Sequence, residues 1–419
     1  MNYRIFPPEE ILETTVALPL SKSIEARAMV LDYLAGAPRA EGACDDTATL
    51  AAVLATGLPS DGSTVDVGPA GTAMRFLTAL CAATEGCSCV LTGSERMLHR
   101  PVGPLVHVLR VLGADIDYLG EEGFPPLRIR GHRLPGGSVD IDASESSQYV
   151  SALMMIVPLL ENDLTIRLLG YVQSMPYIRM TADMMTRRGA CVDIDREHID
   201  ISCPSPLRPA DDSEPDWSAA AFWYEIAAVT AGWVTLPGLS DKSIQGDRHA
   251  AGLFERLGVV TEYTDEGAEL SATPEVFSRL EADLTDMPDL TPALAVTCCL
   301  IGVPFRLSGL GALHAKECDR LEALKAEMAK IGCVLDIESY GTVLSWSGAR
   351  LPVRQLPEFD TYADHRMAMA LAPVSVFIPG IVVRDAEVVS KSYPAYFEHL
   401  QAAGFRLADP AEPMPEVAE

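Results

Sequence analysis

The stretch Tyr177-Ile-Arg-Met-Thr-Ala-Asp-Met-Met-Thr-Arg-Arg-Gly189, followed by Ala190-Cys-Val-Asp-Ile194, decides how the fold is read. Its first part has helical spacing and ends in glycine; its second is a short strand-like run. The same phrase recurs at residues 47–57 before 63–67, 102–113 before 114–118, 247–258 before 259–263, 319–332 before 333–337 and 396–404 before 405–407. Six copies, spaced by roughly 60–70 residues, predict six helix-and-strand units rather than an isolated motif. An ordinary doubly wound nucleotide-binding domain would need a glycine-rich phosphate loop. Neither G-x-G-x-x-G nor a Walker A sequence is present, which disfavours nucleotide binding. Residues 204–217, rich in Pro and acidic side chains, read as a linker between the third and fourth copies. That division gives three units per half and a cleft where the halves meet. The Pro- and Glu-rich end from Ala408 reads as a frayed tail.

With 419 residues the chain is long enough for two domains, and 48% hydrophobic content excludes disorder. No apolar run approaches the ~20 residues of a membrane helix. The longest, residues 293–305, reads as a buried helix or strand, and residues 3–6 as a short strand rather than a targeting peptide. A net charge of −27 argues against nucleic acid and anionic membrane surfaces. It leaves room for an anionic small substrate, because screening over ~8 Å lets a local basic cluster outweigh distant carboxylates. The ten cysteines are scattered. Cys87 and Cys89 are too close for a usual zinc pair, and Cys298 and Cys299 lie in an apolar run. All ten read as reduced thiols of a cytoplasmic protein, with no metal implied. Lysine is scarce: Lys22, Lys242, Lys316, Lys325, Lys330 and Lys391 are the whole set among 32 basic residues.

The chemistry gathers at predicted helix starts. Pro19 ends an extended segment, Ser21 or Ser23 can cap the next helix, and Ile24, Ala28, Leu31, Leu34 and Ala35 recur at helical spacing. Ser23 and Arg27 share a face just after Lys22, a combination suited to an anion. Gly71, Thr72 and Arg75 come after a strand and open a helix. Arg100 precedes Pro101, and Ser146, Ser147 and Gln148 cap an apolar helix. Asp289 stands before another helix; Lys316, Glu317, Asp319 and Arg320 begin the fifth repeated one. Asp364, His365 and Arg366 open a further helix, and Lys391 sits between two serines. Taken singly, each is an ordinary cap, turn or solvated ion-pair face. Together they place Lys or Arg at helix starts in both halves, an arrangement suited to two phosphorylated ligands and to acid–base work by carboxylates.

These motifs resemble, in order and over nearly the whole chain, the set of the 5-enolpyruvylshikimate-3-phosphate synthase family. The resemblance implies an α/β fold: a two-domain inside-out α/β barrel of six βαβαββ repeats, three per domain, closing on ligand. The domains would be residues 21–213, and 1–20 plus 214–407, with 408–419 a flexible tail. It implies transfer of the enolpyruvyl group of phosphoenolpyruvate to the 5-hydroxyl of shikimate 3-phosphate, through a tetrahedral intermediate that loses phosphate. By motif, shikimate 3-phosphate would contact Lys22, Ser23, Arg27, Ser146, Ser147, Gln148, Ser174, Asp289 and Lys316. Phosphoenolpyruvate would contact Lys22, Gly71, Arg100, Gln148, Arg320, Arg366 and Lys391. Asp289 would take the hydroxyl proton, and Glu317 with Lys22 would serve the methylene carbon. A monomer without metal or organic cofactor is expected, and glyphosate would occupy the phosphoenolpyruvate site. Three positions depart from the family pattern: Leu20 for Gly, Pro69 for Asn, and Ala312 for Asn. Two other readings compete. One is UDP-N-acetylglucosamine 1-carboxyvinyltransferase, disfavoured because residues 91–99 hold no Cys; the other is a catalytically dead phosphometabolite-binding protein.

Overall fold

The computed structural model describes residues 1–39 and 41–412. The chain forms two compact units. Unit I comprises Leu20–Ser213 and Ile244–Gly246; unit II comprises Met1–Pro19, Glu214–Ser243 and the chain from Asp247 onward.

Unit I begins with helices α1 (Lys22–Leu34) and α2 (Asp45–Thr56). A first βαβαββ repeat comes next: β3 (Ser63–Asp66), α3 (Gly71–Ala83), β4 (Ser88–Thr92), α4 (Gly103–Val111), β5 (Asp115–Tyr118) and β6 (Leu127–Arg130). The second contains β7 (Gly137–Asp142), α5 (Ser147–Met155), β8 (Leu164–Leu169), α6 (Met175–Arg187), β9 (Cys191–Ile194) and β10 (His198–Ser202).

Unit II supplies β1 (Tyr3–Phe6) and β2 (Glu13–Thr15) from the N-terminus, then α7 (Trp217–Thr230), β11 (Trp233–Pro237), α8 (Ala250–Glu255), β12 (Val259–Thr264) and β13 (Gly267–Ala272). Next come β14 (Leu280–Asp283), α9 (Thr291–Ile301), β15 (Phe305–Ser308), α10 (Arg320–Ala329), β16 (Asp336–Glu338) and β17 (Val343–Trp346). The last repeat holds β18 (Glu358–Phe359), α11 (His365–Leu371), β19 (Ile381–Val383), α12 (Tyr396–Ala402) and β20 (Arg406–Ala408).

Among the described residues there are five four-stranded sheets with one pairing scheme: a parallel first pair, then two antiparallel neighbours. β2 and β1 complete the sheets of β11 and β19, so the N-terminal strands close repeats whose other members lie far along the chain. All six repeated helices form. The first copy differs from the other five: the strand after α2, β3, opens the next sheet instead of ending its own.

The burial pattern explains why this is an inside-out fold. Strands alternate inward and outward, as in β6 and β8, so each sheet has one wet face. The central helices, by contrast, are covered all round: every residue of α9 but Ile301 is buried. The apolar run at residues 293–305 is therefore a central helix plus the strand after it. Each unit has its own core.

The stretch 204–217 is held more firmly than a linker. Leu207 is buried, and Asp212 pairs with Arg188, whose guanidinium also reaches Asp32 at 2.7 Å. One of its acidic residues, Asp212, thus compensates a fully buried arginine. At the C-terminal end, Ala408 closes β20 and the Pro410 carbonyl accepts from Arg4 at 2.8 Å, so the tail does not begin at Ala408. The remainder of that expectation, residues 413–419, lies outside the described residues.

Candidate active site

In unit I the N-terminal ends of α1, α3, α5 and α6 carry the predicted ligands. Lys22 is the first residue of α1, and its ammonium reaches Asp46 on α2 at 3.0 Å. Ser21 occupies the cap position without a capping bond from its hydroxyl. Arg27 is buried beneath: it donates to Thr181 Oγ1 at 2.7 Å, the Ser23 carbonyl at 2.8 Å and Ser151 Oγ at 3.1 Å. Its guanidinium also lies 5.5 Å from the Phe76 ring and 5.7 Å from that of Tyr177. Burial pushes Arg27 down to about 10, which still leaves it charged at neutral pH. No described carboxylate forms an ion pair with it.

Arg100 is the second such cation. It is buried, its Nε has no hydrogen-bond partner, and no described carboxylate pairs with it. It lies against the start of α3: a Cβ at Gly71 would stand 2.5 Å from Arg100 Nη1 and 2.8 Å from Arg75 Nη1. Gly71 thus leaves room for the close approach of two guanidinium groups. Arg75 itself is spent on local carbonyls, those of Gly71 at 2.9 Å and Pro101 at 3.3 Å. Ser146 caps α5 by accepting from the Gln148 amide, and Gln148 Nε2 donates to Thr72 Oγ1 at 3.0 Å, tying α5 to α3. Ser147 is buried beside them. Ser174 precedes α6 with φ of 60°, a left-handed conformation that costs a non-glycine residue energy. Of the departures from the family pattern, Pro69 sits in the turn just before α3, where it offers no polar side chain.

Unit II gathers the remaining residues around one guanidinium. Arg320, the first residue of α10, is almost completely buried and spans three acids: Asp289 and Asp364 at 2.7 Å each, and Glu317 at 2.9 Å. Burial opposes its charge, but those three carboxylates outweigh it and hold the group well above its ordinary range. Asp289 further receives Arg366 at 3.0 Å and Lys316 at 3.6 Å. Burial pushes the Asp289 carboxyl up, yet Arg366, Lys316 and Arg320 together bring it far below the carboxylate range. For Lys316, attraction to Asp289 raises the pKa, while burial and the Arg320 charge bring the net shift downward. Lys391 pairs with Glu317 at 3.2 Å. Asp364 caps α11 through the Arg366 amide at 2.9 Å, which fixes Arg366 toward Asp289.

The sequence reading missed several partners. Thr181 and Ser151 lie four residues beyond Tyr177 and Ser147, so helical spacing could have placed them on the same faces. Asp46, Tyr177 and Tyr149 carried no motif. In unit II, Asp247 was seen only as a helix start. It is buried, bonded to Ser218 Oγ, and close enough to feel Asp289 and Arg366. Burial first, then the Asp289 charge, raises its pKa to about 7. Lys330, which the sequence leaves on an exposed helix body, bonds Glu327 at 2.6 Å, Asp360 at 3.3 Å and the Glu358 carbonyl at 2.8 Å.

Comparison with known proteins points the same way. A family model described as EPSP synthase (3-phosphoshikimate 1-carboxyvinyltransferase) matches residues 17–400. A Bacteroides fragilis protein named 3-phosphoshikimate 1-carboxyvinyltransferase is 44% identical over 413 residues, spanning 97% of this chain and 99% of that one. A protein of the same name from Methanoculleus marisnigri is 33% identical over 404 residues, spanning 93% and 91%. Among solved structures, the EPSP synthase of Acinetobacter baumannii superposes with a TM-score of 0.75 at 20% identity, over 97% of this chain and 100% of that one. The enolpyruvyl transferase NikO from Streptomyces tendae gives 0.72 at 17% identity, over 97% and 99%. At such identities the structural likeness speaks for the fold alone.

Proposed function

Because the chain belongs to the EPSP synthase family, we propose that it transfers the enolpyruvyl group of phosphoenolpyruvate to the 5-hydroxyl of shikimate 3-phosphate, releasing phosphate. One structural observation supports this reading most directly. Asp289, the expected proton acceptor, is held among Arg320, Arg366 and Lys316, residues expected to receive the anionic groups of the two substrates.

In the proposed reaction Asp289 takes the proton of the 5-hydroxyl, whose oxygen bonds to C2 of phosphoenolpyruvate. The double bond's electron pair goes to C3, which is protonated by Glu317 acting with Lys22. The resulting ketal phosphate then loses a methyl proton and expels phosphate, restoring a vinyl ether. Asp289 paired with three cations is a weak base. A substrate phosphate or carboxylate drawing Arg366 and Arg320 away raises its basicity, so anion binding prepares the proton transfer. In unit I, Arg27 and Arg100 offer buried positive charge without acid partners among the described residues, which suits substrate carboxylate or phosphate. Lys22, Ser23, Ser146, Ser147, Gln148 and Ser174 complete the proposed contacts there, and Lys391 those in unit II. We assign two domains that follow units I and II, in a cytoplasmic monomer.

The test is phosphate release from phosphoenolpyruvate with shikimate 3-phosphate as acceptor, against UDP-N-acetylglucosamine as acceptor. Turnover with the first alone is expected. Turnover only with the UDP-sugar, or with neither, overturns the assignment.

A further inference from the structure

The fold collects three cysteines that look scattered in the sequence. Cys81 lies near the C-terminal end of α3, Cys87 in the turn after it, and Cys89 on β4. All three are buried, all are free thiols, and their sulfurs lie within 4.8 Å of one another. Strand alternation explains part of this: Cys87 and Cys89 are two apart, so both turn inward while Ser88 between them is less covered.

Backbone after β6 packs against the group. Gly131 donates to the Cys87 carbonyl at 2.7 Å, and the His132 amide to that of Ala82 at 3.2 Å. A Cβ at position 131 would stand 2.1 Å from the Cys81 carbonyl oxygen and 3.0 Å from Cys87 Cβ. Glycine there is what lets the chain after β6 pass this close to Cys81 and Cys87.

We propose that Cys81, Cys87 and Cys89 form a three-sulfur binding site for a soft, thiophilic metal ion of the Cu(I) class. A trigonal ion with metal–sulfur bonds of ~2.3 Å needs sulfurs separated by about 4.0 Å, within the range the three already occupy. No described imidazole or carboxylate belongs to the group. A hard cation would lack oxygen ligands, and tetrahedral zinc would lack its fourth. Each thiol that ligates releases its proton on binding. The site sits at the opposite end of α3 from Gly71, Thr72 and Arg75, so its occupancy would brace the helix that presents them.

The test uses the full chain, reduced and anaerobic. Cu(I) is delivered from a competing chelator, and Cd(II) serves as an optical probe through sulfur-to-metal charge-transfer absorbance. One ion per chain is expected. Affinity should be unchanged in Cys191→Ser, which alters an exposed thiol, and at least 100-fold weaker in Cys87→Ser. Should Cys87→Ser fail to fold, alkylation of the wild type in partially unfolding urea, mapped by mass spectrometry with and without metal, decides instead. Metal is expected to protect Cys81, Cys87 and Cys89 together. Failure to retain an ion against the chelator, or protection only at Cys191, Cys203 or Cys318, overturns the site. None of these readouts depends on enolpyruvyl transfer, so the metal site and the enzymatic assignment fail separately.

Discussion

Asp247→Asn should flatten part of the pH dependence of unit II stability. Asp247 is buried, with one carboxylate oxygen bonded to Ser218 and the other without a partner. Burial, the nearby charge of Asp289 and that of Asp216 raise its pKa; Arg366 and Ser218 offset them only in part. From 3.8 in the unfolded chain to about 7 in the folded one is roughly three pH units, or about 4 kcal/mol. The folded state binds the extra proton between these values, so stability falls as pH rises from about 4 to about 7 and then levels. Asparagine keeps the Ser218 bond and cannot ionise. Urea unfolding followed by tryptophan fluorescence is the assay, because Trp217, Trp223, Trp233 and Trp346 all belong to unit II. Between pH 5 and pH 7 the wild type should lose ~1.4 kcal/mol per pH unit relative to the variant. Parallel curves, or a wild type that gains on the variant as pH rises, would refute the reasoning.

Four further outcomes are expected. Glu225 is fully buried with neither carboxylate oxygen bonded, and burial holds its pKa well above the usual range; Glu225→Gln should therefore raise stability at pH 7, by a margin that shrinks as pH falls toward that of a free glutamate. Gly71→Ala drives a methyl into Arg100, so KM for phosphoenolpyruvate should rise at least ~10-fold, about 1.4 kcal/mol, with KM for shikimate 3-phosphate little changed. Glyphosate should compete with phosphoenolpyruvate in the wild type and lose more than the substrate does in that variant; equal losses would remove Gly71 from the inhibitor's surroundings. Lys22→Arg and Lys316→Arg should each lower kcat/KM roughly 100-fold, about 2.7 kcal/mol, because guanidinium is larger and does not give up its proton. Exposed Lys325→Arg is the neutral control, whereas Lys330, tied to buried Glu327, is not.

The repeats were legible because each contains a local, self-announcing pattern: helical spacing, a glycine, a short alternating strand. Helix starts were legible for the same reason, and the candidate residues there lie at or beside the first turns of α1, α3, α5, α9, α10 and α11. What could not be read is what distance along the chain conceals. Arg27 meets Thr181 and Ser151 across more than a hundred residues, and no local signal announces that pairing. Asp212 read as part of a linker because its partner Arg188, at the end of α6, lies outside that stretch. The three thiols fail every spacing rule for metal ligands, yet a helix end, a turn and a strand bring them together. N-terminal strands β1 and β2 complete sheets assembled much later in the sequence, a closure invisible to any window of residues.

Among the candidate site residues, the arginines of the two units are held differently, and this bears on how substrates act. In unit I, Arg27 and Arg100 are buried with no carboxylate partner among the described residues. Desolvating an unpaired cation costs several kcal/mol, and a bound anion offsets that cost, so uncompensated charge there favours affinity. In unit II each cation of the cluster already faces an acid: Arg320 faces three, Lys316 and Arg366 share Asp289, and Lys391 holds Glu317. An anion arriving at Arg366 or Arg320 gains less, because it must displace a carboxylate. The displaced group is Asp289, whose lost partners are what kept it acidic. In the proposed mechanism, weak net attraction in unit II would be the counterpart of base activation: the same exchange that limits anion affinity would turn Asp289 into a proton acceptor when substrate is present, and leave it inert when substrate is not.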